Sequence, residues 1–311
     1  MSASPHPPAI CVVGACNIDL ISYVPRLPRE GETLHGSRFQ QGFGGKGANQ
    51  AVMAAKLGAQ VVMLSKLGRD SFGDDTLKNF QALGVDTTHV HQTDEAASGV
   101  APIAVDADGR NSIIIVTGAN DLLTDAEIEA ARPAIRASQV LVCQLEIPVE
   151  RSLKALQVAR EEGVRTIFNP APARESLPDE IYQLSDIFCP NESECELLTG
   201  LPVASEAQAE TAAKSLLERG PKTVILTLGK RGALVVDASG TQRIEAEAIQ
   251  AVDSTGAGDS FVGSLAYFLA RDVALKTAVA RSCQIATRSV LKPGTQSSFP
   301  DAAELGDLLN I

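Results

Sequence analysis

The sequence predicts an α/β fold: a mostly parallel central sheet with helices on both faces, plus a small β-sheet lid. Three observations carry this. Short β-branched runs alternate with helical patterns along the chain. The runs are apolar almost without interruption, as in parallel strands buried on both faces. Two segments break the rhythm with hairpin-like patterns.

The first strand is "AICVVG" (9–14), and "GANQAVMAAKLG" (47–58) reads as a helix closed by Gly58. "QVVMLSKLG" is the next strand, and the helix after it ends near "FQALGVD". "QVLVCQLE" (139–146) precedes the helix-like "ERSLKALQVAREEG". "VRTIFNP" (164–170), "SDIFCPN" (185–191) and "KTVILTLG" (222–229) each end just before a loop or helix. In about 98–117, two strands meet at an Asp108-Gly109 turn, a hairpin signal. In about 18–45, strand-like pieces are broken by Pro and Gly. These two segments are expected to form a small antiparallel sheet outside the main one, in the role of a lid. No linker divides the chain, so residues 1–311 read as a single domain.

Composition narrows the function. The chain has 311 residues, 44% of them hydrophobic, with no Trp, so aliphatic side chains must supply the core. A net charge of −11 with no Lys/Arg run argues against nucleic acid, and the acidity itself serves solubility. No apolar stretch is long enough for a bilayer, and the first ten residues lack the basic and apolar regions of a signal peptide. Cysteines 11, 16, 143, 189, 195 and 283 form no Cys-x-x-Cys pair. They read as buried free thiols of a reducing, cytoplasmic compartment. Histidines 6, 35, 89 and 91 make no zinc-like cluster with them, and His89 and His91 read as loop or edge-strand residues.

"GFGGKGANQ" (42–50) satisfies Gly-x-Gly-x-x-Gly, but no buried strand precedes it and no acid closes the following strand, against a dinucleotide site. Lys46 is followed by Gly47 and not by Ser or Thr, against a P-loop, and no His-Arg-Asp or Asp-Phe-Gly supports a protein kinase. A polyhydroxylated ligand fits better. Gly44 and Gly45 admit it to the backbone, and Lys46 and Asn49 offer donors from a helix's first turn. Asn17 and Asp19, two apart on the first strand's exit, point the same way, though an ordinary turn explains them too.

"DSTGAGDSF" (253–261) places Gly256, Ala257 and Gly258 before a helix, whose unpaired N–H groups and dipole make an anion site. Asp259 beside a bound phosphate is no ligand, since like charges repel. It suits the acceptor of a proton from an attacking hydroxyl. An acid in a first turn also has non-catalytic causes. In a loose phosphoryl-transfer transition state such an acid chiefly orients the alcohol and accepts its proton late.

"GGKGANQAVMAAKLG" and "DSTGAGDSFVGSL" resemble the two signature regions of the PfkB carbohydrate kinase family. "NPAPAR" (169–174), "PNESE" (190–194), "TLGKRGA" (227–233) and "KPGTQSSFP" (292–300) follow in the family's order, so the resemblance spans essentially the whole chain. It implies one α/β domain with a β-sheet lid, often dimeric through the lids, that transfers the γ-phosphoryl of ATP to the 5-hydroxyl of D-ribose. It implies ribose contacts from Asn17, Asp19, Gly45, Lys46, Asn49 and Glu146, with Asp259 as base and Gly256, Ala257 and Gly258 as anion hole. ATP would meet Asn191, Thr227, Gly229 and Gly232. Glu194 matches an acid linked to Mg²⁺. A K⁺ ion would lie at Asp253, Thr255, Ser289, Lys292, Gly294 and Ser298, mostly on backbone oxygens. Lys292 and Pro293 replace small residues of the family pattern, and Cys283 stands where His or Asn is common near adenine. Lys230 and Arg231 read as either nucleotide contacts or solvated side chains. The alternatives are a kinase for a related sugar or nucleoside, or a silent sugar-binding protein on the same fold.

Overall fold

The computed structural model describes residues 7–310; His6 and most of the stretch read for a signal peptide lie outside them. In chain order the elements are β1 (Ala9–Val13), β2 (Asn17–Tyr23), β3 (Arg38–Gly44), α1 (Lys46–Lys56), β4 (Gln60–Gly68), α2 (Ser71–Ala82) and β5 (Val85–Thr93). There follow β6 (Gly99–Val105), β7 (Asn111–Ile113), α3 (Asp125–Ala130), α4 (Arg132–Ala137), β8 (Val140–Cys143), α5 (Val149–Glu161) and β9 (Arg165–Phe168). Next come α6 (Asp179–Leu184), β10 (Ile187–Phe188), α7 (Glu192–Thr199), α8 (Glu206–Leu217) and β11 (Thr223–Thr227). The last are β12 (Ala233–Asp237), β13 (Gly240–Ile244), α9 (Ala257–Ala270), α10 (Leu275–Ser289) and α11 (Ala302–Leu305).

The large sheet has the order β13-β12-β11-β10-β9-β8-β1-β4-β5. It is parallel from β5 to β11, and the β12–β13 hairpin adds an antiparallel edge. Alternate residues of one strand enter two different cores. Ile10 and Val12 of β1 pack with α1, α9 and α10, whereas Cys11 and Val13 pack with α5, α6 and α8 on the other face. Because both faces are dry, both sets are apolar, which is why the strand runs show no alternation. His89 and His91 lie on β5, the edge strand, as expected. All six cysteines are free and buried, and burial pushes the thiols of Cys11 and Cys16 up to about 12.

The small sheet has the order β3-β2-β6-β7 and is mixed, a correction to the antiparallel sheet expected. Each hairpin, β2–β3 and β6–β7, is antiparallel, but β2 and β6 run parallel. Asn17 pairs with Gly99, so both strands start at the same end of the sheet and share a direction. Asn17 and Asp19 belong to β2 of this sheet, not to an exit turn of the first strand.

Candidate active site

Strand order reverses between β1 and β8: the chain continues from β1 to β4 and β5 on one side, and from β8 to β11 on the other. In open α/β sheets, ligands bind outside the carboxyl ends of the strands at such a point. Those ends here carry Glu146 after β8, Asn169 after β9, Asn191 after β10 and Thr227 closing β11. A cleft at this place is lined by Lys46, Asn169, Asn191, Glu194, Thr227, Gly256, Gly258 and Asp259, with Ala171, Cys189 and Val262.

Two helices open onto it. The cap of α1 is Gly45, whose φ of 86° is left-handed; a Cβ there would also lie 2.7 Å from the Ala15 carbonyl oxygen. The first N–H of α1, on Lys46, donates to Glu146 Oε2 at 2.8 Å. The cap of α9 is Gly256, φ 77°, with no side-chain cap. The helix begins at Ala257, so Ala257, Gly258 and Asp259 are its first turn instead of its approach. The Ala257 N–H leans on the Ser254 carbonyl at 3.2 Å; among the described residues that of Gly258 has no protein acceptor. A Cβ on Gly258 would meet nothing within 4 Å. Free N–H groups at a helix mouth with open space before them suit an anion.

Asp259 is buried, and both its oxygens are engaged. Asn49 Nδ2 donates to Oδ2 and Gln50 Nε2 to Oδ1, each at 2.9 Å. Each such bond to a charged group is worth roughly 1.5–3 kcal/mol. The pairing depends on close helix packing: a Cβ on Gly263 of α9 would sit 2.6 Å from the Gln50 carbonyl oxygen of α1. Gly263 thus sets the distance across which Asn49 and Gln50 reach Asp259.

Lys46 stands among carboxylates. Burial alone would lower its pKa, but Asp259, Glu146 and Glu194 outweigh that and raise it, so the ammonium is held charged. Burial raises Glu146 and Glu194 above the ordinary carboxylate range, while the Lys46 charge pulls both back. Asp19 is pushed up to about 7, by burial first and then by Glu146 and Asp259. Around Asn17 and Asp19 the small sheet is nearly bare: their cross-strand partners are Gly44 and Gly99, and Gly42 and Ala101. A Cβ on Gly44 would lie 2.4 Å from Asp19 Oδ1, so the glycine makes room for the carboxylate.

Asn191 and Glu194 bind each other. The Asn191 N–H and Nδ2 donate to Glu194 Oε2 and Oε1, each at 2.8 Å, in a capping box that opens α7. Thr227 reaches the cleft, whereas Gly229 and Gly232 do not line it. At Gly232 a Cβ would lie 2.1 Å from the Ile244 carbonyl oxygen, so this glycine serves the packing of β13. Arg231 is held by Glu192 and by the Val203 and Ala204 carbonyls, which leaves Lys230 as the exposed one of the pair. Asp253 ties two loops together, accepting from the Thr255 N–H and the Gly294 N–H at 2.9 Å each. Ser289 and Ser298 are buried beside them, Lys292 pairs with Glu304, and Cys283 is buried on α10.

Three residues of the site region escaped the sequence reading. Gln50 faces Asp259 from below. Asn169 closes β9. Asn120, fully buried, accepts from the Cys16 N–H at 2.9 Å and donates to Asn17 Oδ1 at 3.0 Å, fixing the root of β2. Asn169 lies in the "NPAPAR" segment and Gln50 ends the "GFGGKGANQ" segment, whereas nothing local marks Asn120.

A cleft at a switch point, with a carboxylate, a lysine and an open helix mouth under a small sheet, defines a phosphotransferase of the small-molecule kinase class. The chain belongs to the pfkB family of carbohydrate kinases, which residues 8–302 match. It is 48% identical over 301 residues to a ribokinase of Mus musculus, covering 96% of this chain and 93% of that protein. It is 39% identical over 302 residues to a deoxyribokinase of Salmonella typhi, covering 97% and 99%. It superimposes on the Arabidopsis thaliana ribokinase complexed with ribose and ATP with a TM-score of 0.89 at 30% identity, over 98% of this chain and 99% of the other.

Proposed function

We propose that this chain transfers the γ-phosphoryl group of ATP to the 5-hydroxyl of D-ribose, giving ribose 5-phosphate and ADP. The observation that carries the reading is Asp259: a carboxylate at the mouth of α9, gripped by Asn49 and Gln50, in one cleft with Lys46. Ribose lies on the bare face of the small sheet, where Asn17, Asp19, Gly45, Lys46, Asn49 and Glu146 converge. Asp19 accepts two neighbouring hydroxyls, which favours ribose over a sugar lacking the 2-hydroxyl. ATP runs along the strand ends past Asn191 and Thr227 toward the Gly229–Gly232 turn. Asp259 orients the 5-hydroxyl and takes its proton as the new O–P bond forms and the bond to the β-phosphate oxygen breaks. The N–H groups at Gly256, Ala257 and Gly258 meet the charge on the moving phosphoryl group.

Mg²⁺ neutralises phosphate charge in such reactions. Both Glu194 oxygens already accept from Asn191, so Glu194 suits a hold on the ion through water. The donor set also fits K⁺. Asp253 clamps the two loops, and among the described residues the carbonyls of Thr255, Lys292 and Gly294 accept no backbone hydrogen bond outside helices and strands. Such an ion would stiffen the loop that carries the anion hole.

The small sheet and the segment after β7 expose Phe39, Ile113, Ile114, Ile115 and Val116, and this apolar surface supports a homodimer through the lids. Buried free thiols support the cytoplasm, and the acidity supports neither a nucleic-acid nor a membrane partner. Among the described residues, no helix is long and apolar enough to cross a membrane.

A coupled ADP-release assay over ribose, deoxyribose, fructose and a nucleoside, with and without K⁺, tests the reading. Ribose should give the highest kcat/KM, and K⁺ should raise it. No ADP with any sugar, despite sugar binding by calorimetry, would leave the silent-protein alternative standing.

A further inference from the structure

Beneath the cleft a row of buried side-chain amides leads away from Asp259. Gln50 and Gln144 are both 0% exposed, and neither lines the cleft. Gln50 Nε2 faces two acceptors, Asp259 Oδ1 at 2.9 Å and Asn169 Oδ1 at 3.2 Å. Asn169 presents its oxygen there because its own Nδ2 donates to the Cys189 carbonyl at 2.9 Å. The orientation of the Gln50 amide is therefore forced, and its Oε1 accepts from Gln144 Nε2 at 2.6 Å. The carboxylate at the head of the row sets the direction of every amide behind it.

Gln144 is anchored in turn. Ser152 Oγ donates to its carbonyl at 2.7 Å. Its Oε1 is buried with no partner and lies 2.1 Å from where a Cβ on Gly14 would stand. An orphaned buried oxygen carries a cost that an apolar side chain of the same shape would avoid. The torsion that turns an Asp carboxylate is broad, so a carboxylate without fixed donors swivels.

We propose that Gln50, backed by Gln144, is the positioning residue of Asp259: it pins Oδ1 on the buried side and leaves Oδ2, on the Asn49 side, to face the sugar's hydroxyl. The inference rests on Asp259 being the base.

Gln50→Met and Gln144→Met, singly and together, keep the volume and remove the donors. Steady-state kinetics, ribose calorimetry and thermal unfolding are measured on each. Gln50→Met should lower kcat by about 10- to 100-fold while ribose KM and Kd stay within about twofold. Gln144→Met acts through Gln50, so it should lower kcat only about 2- to 5-fold. The double variant should be no worse than Gln50→Met alone, whereas two independent packing roles would give losses that multiply. A folded Gln50→Met with near wild-type kcat, or losses that multiply, overturns the proposal. Should Gln50→Met fail to fold, an unchanged kcat in folded Gln144→Met overturns it. Asp259→Asn separates the two readings. If it still turns over, the base assignment fails; if it is dead while Gln50→Met is not, only the positioning role fails.

Discussion

The mouths of α1 and α9 open onto the same cleft, and both are capped by a left-handed glycine. They differ in what meets the free N–H groups. At α1 the protein supplies its own anion, Glu146 on Lys46 N–H. At α9 it supplies none: Asp259 sits in the first turn, yet its carboxylate is drawn to Asn49 and Gln50, and the space before Gly258 is open. One mouth is finished by folding, and the other is left open for the phosphate of the proposed reaction. Substitutions at the cap of the first should register chiefly as stability, besides any effect on the sugar, and at the second as turnover.

Asp259→Asn gives the largest effect. It keeps the side-chain size but removes the proton acceptor, so kcat should fall by roughly 10²–10⁴ while calorimetric ribose binding stays near wild type. Gly45→Ala comes next and breaks the finished mouth. Its Cβ meets the backbone of residues 15–17 at a positive φ, so denaturant unfolding should show a loss of about 2–4 kcal/mol. Gly258→Val sharpens the contrast from the other side. The Cβ it adds meets no atom within 4 Å outside its own helix turn, and the side chain fills the proposed phosphate approach, so kcat/KM for ATP should fall about 10- to 100-fold with little change in Tm.

The smallest effect is pH dependence at the sugar end. Asp19 must be ionised to accept two hydroxyls, and its pKa is raised to about 7. The protonated form therefore prevails below that value, and ribose KM should fall about tenfold between pH 6 and pH 8, then level off. Asp19→Asn should flatten the profile. A flat wild-type profile would show that the carboxyl already titrates well below this window.

The difference between the two mouths also explains what the sequence disclosed. The parallel sheet was legible because strands buried on both faces leave unbroken apolar runs. The small second sheet was legible because Pro and Gly break its segments and Asp108-Gly109 turns a hairpin. The reversal at β12–β13 was not, since "ALVVD", buried between β11 and β13, resembles any other core strand. The parallel pairing of β2 with β6 was hidden because it joins segments some 80 residues apart, as in the pairing of Asn17 with Gly99. Asp259 was legible from glycines placed before a helix. Gln50 and Gln144 were not, because each reads locally as an ordinary polar residue, and Gln50 meets its partner only across 209 residues of chain.

Gly45 closes the small sheet and opens α1 at once, being the residue between Gly44 of β3 and Lys46. A second strut joins the same plate to the far loop, where Thr295 Oγ1 donates to the Phe43 carbonyl at 3.0 Å. The plate therefore cannot pivot without turning the ammonium and amide at the head of α1 and tugging on the segment next to Gly294. On the proposed reading, tilting this sheet would loosen the sugar's grip and disturb the cation's seat together, while the Asp259 carboxylate on α9 would stay with the body of the molecule.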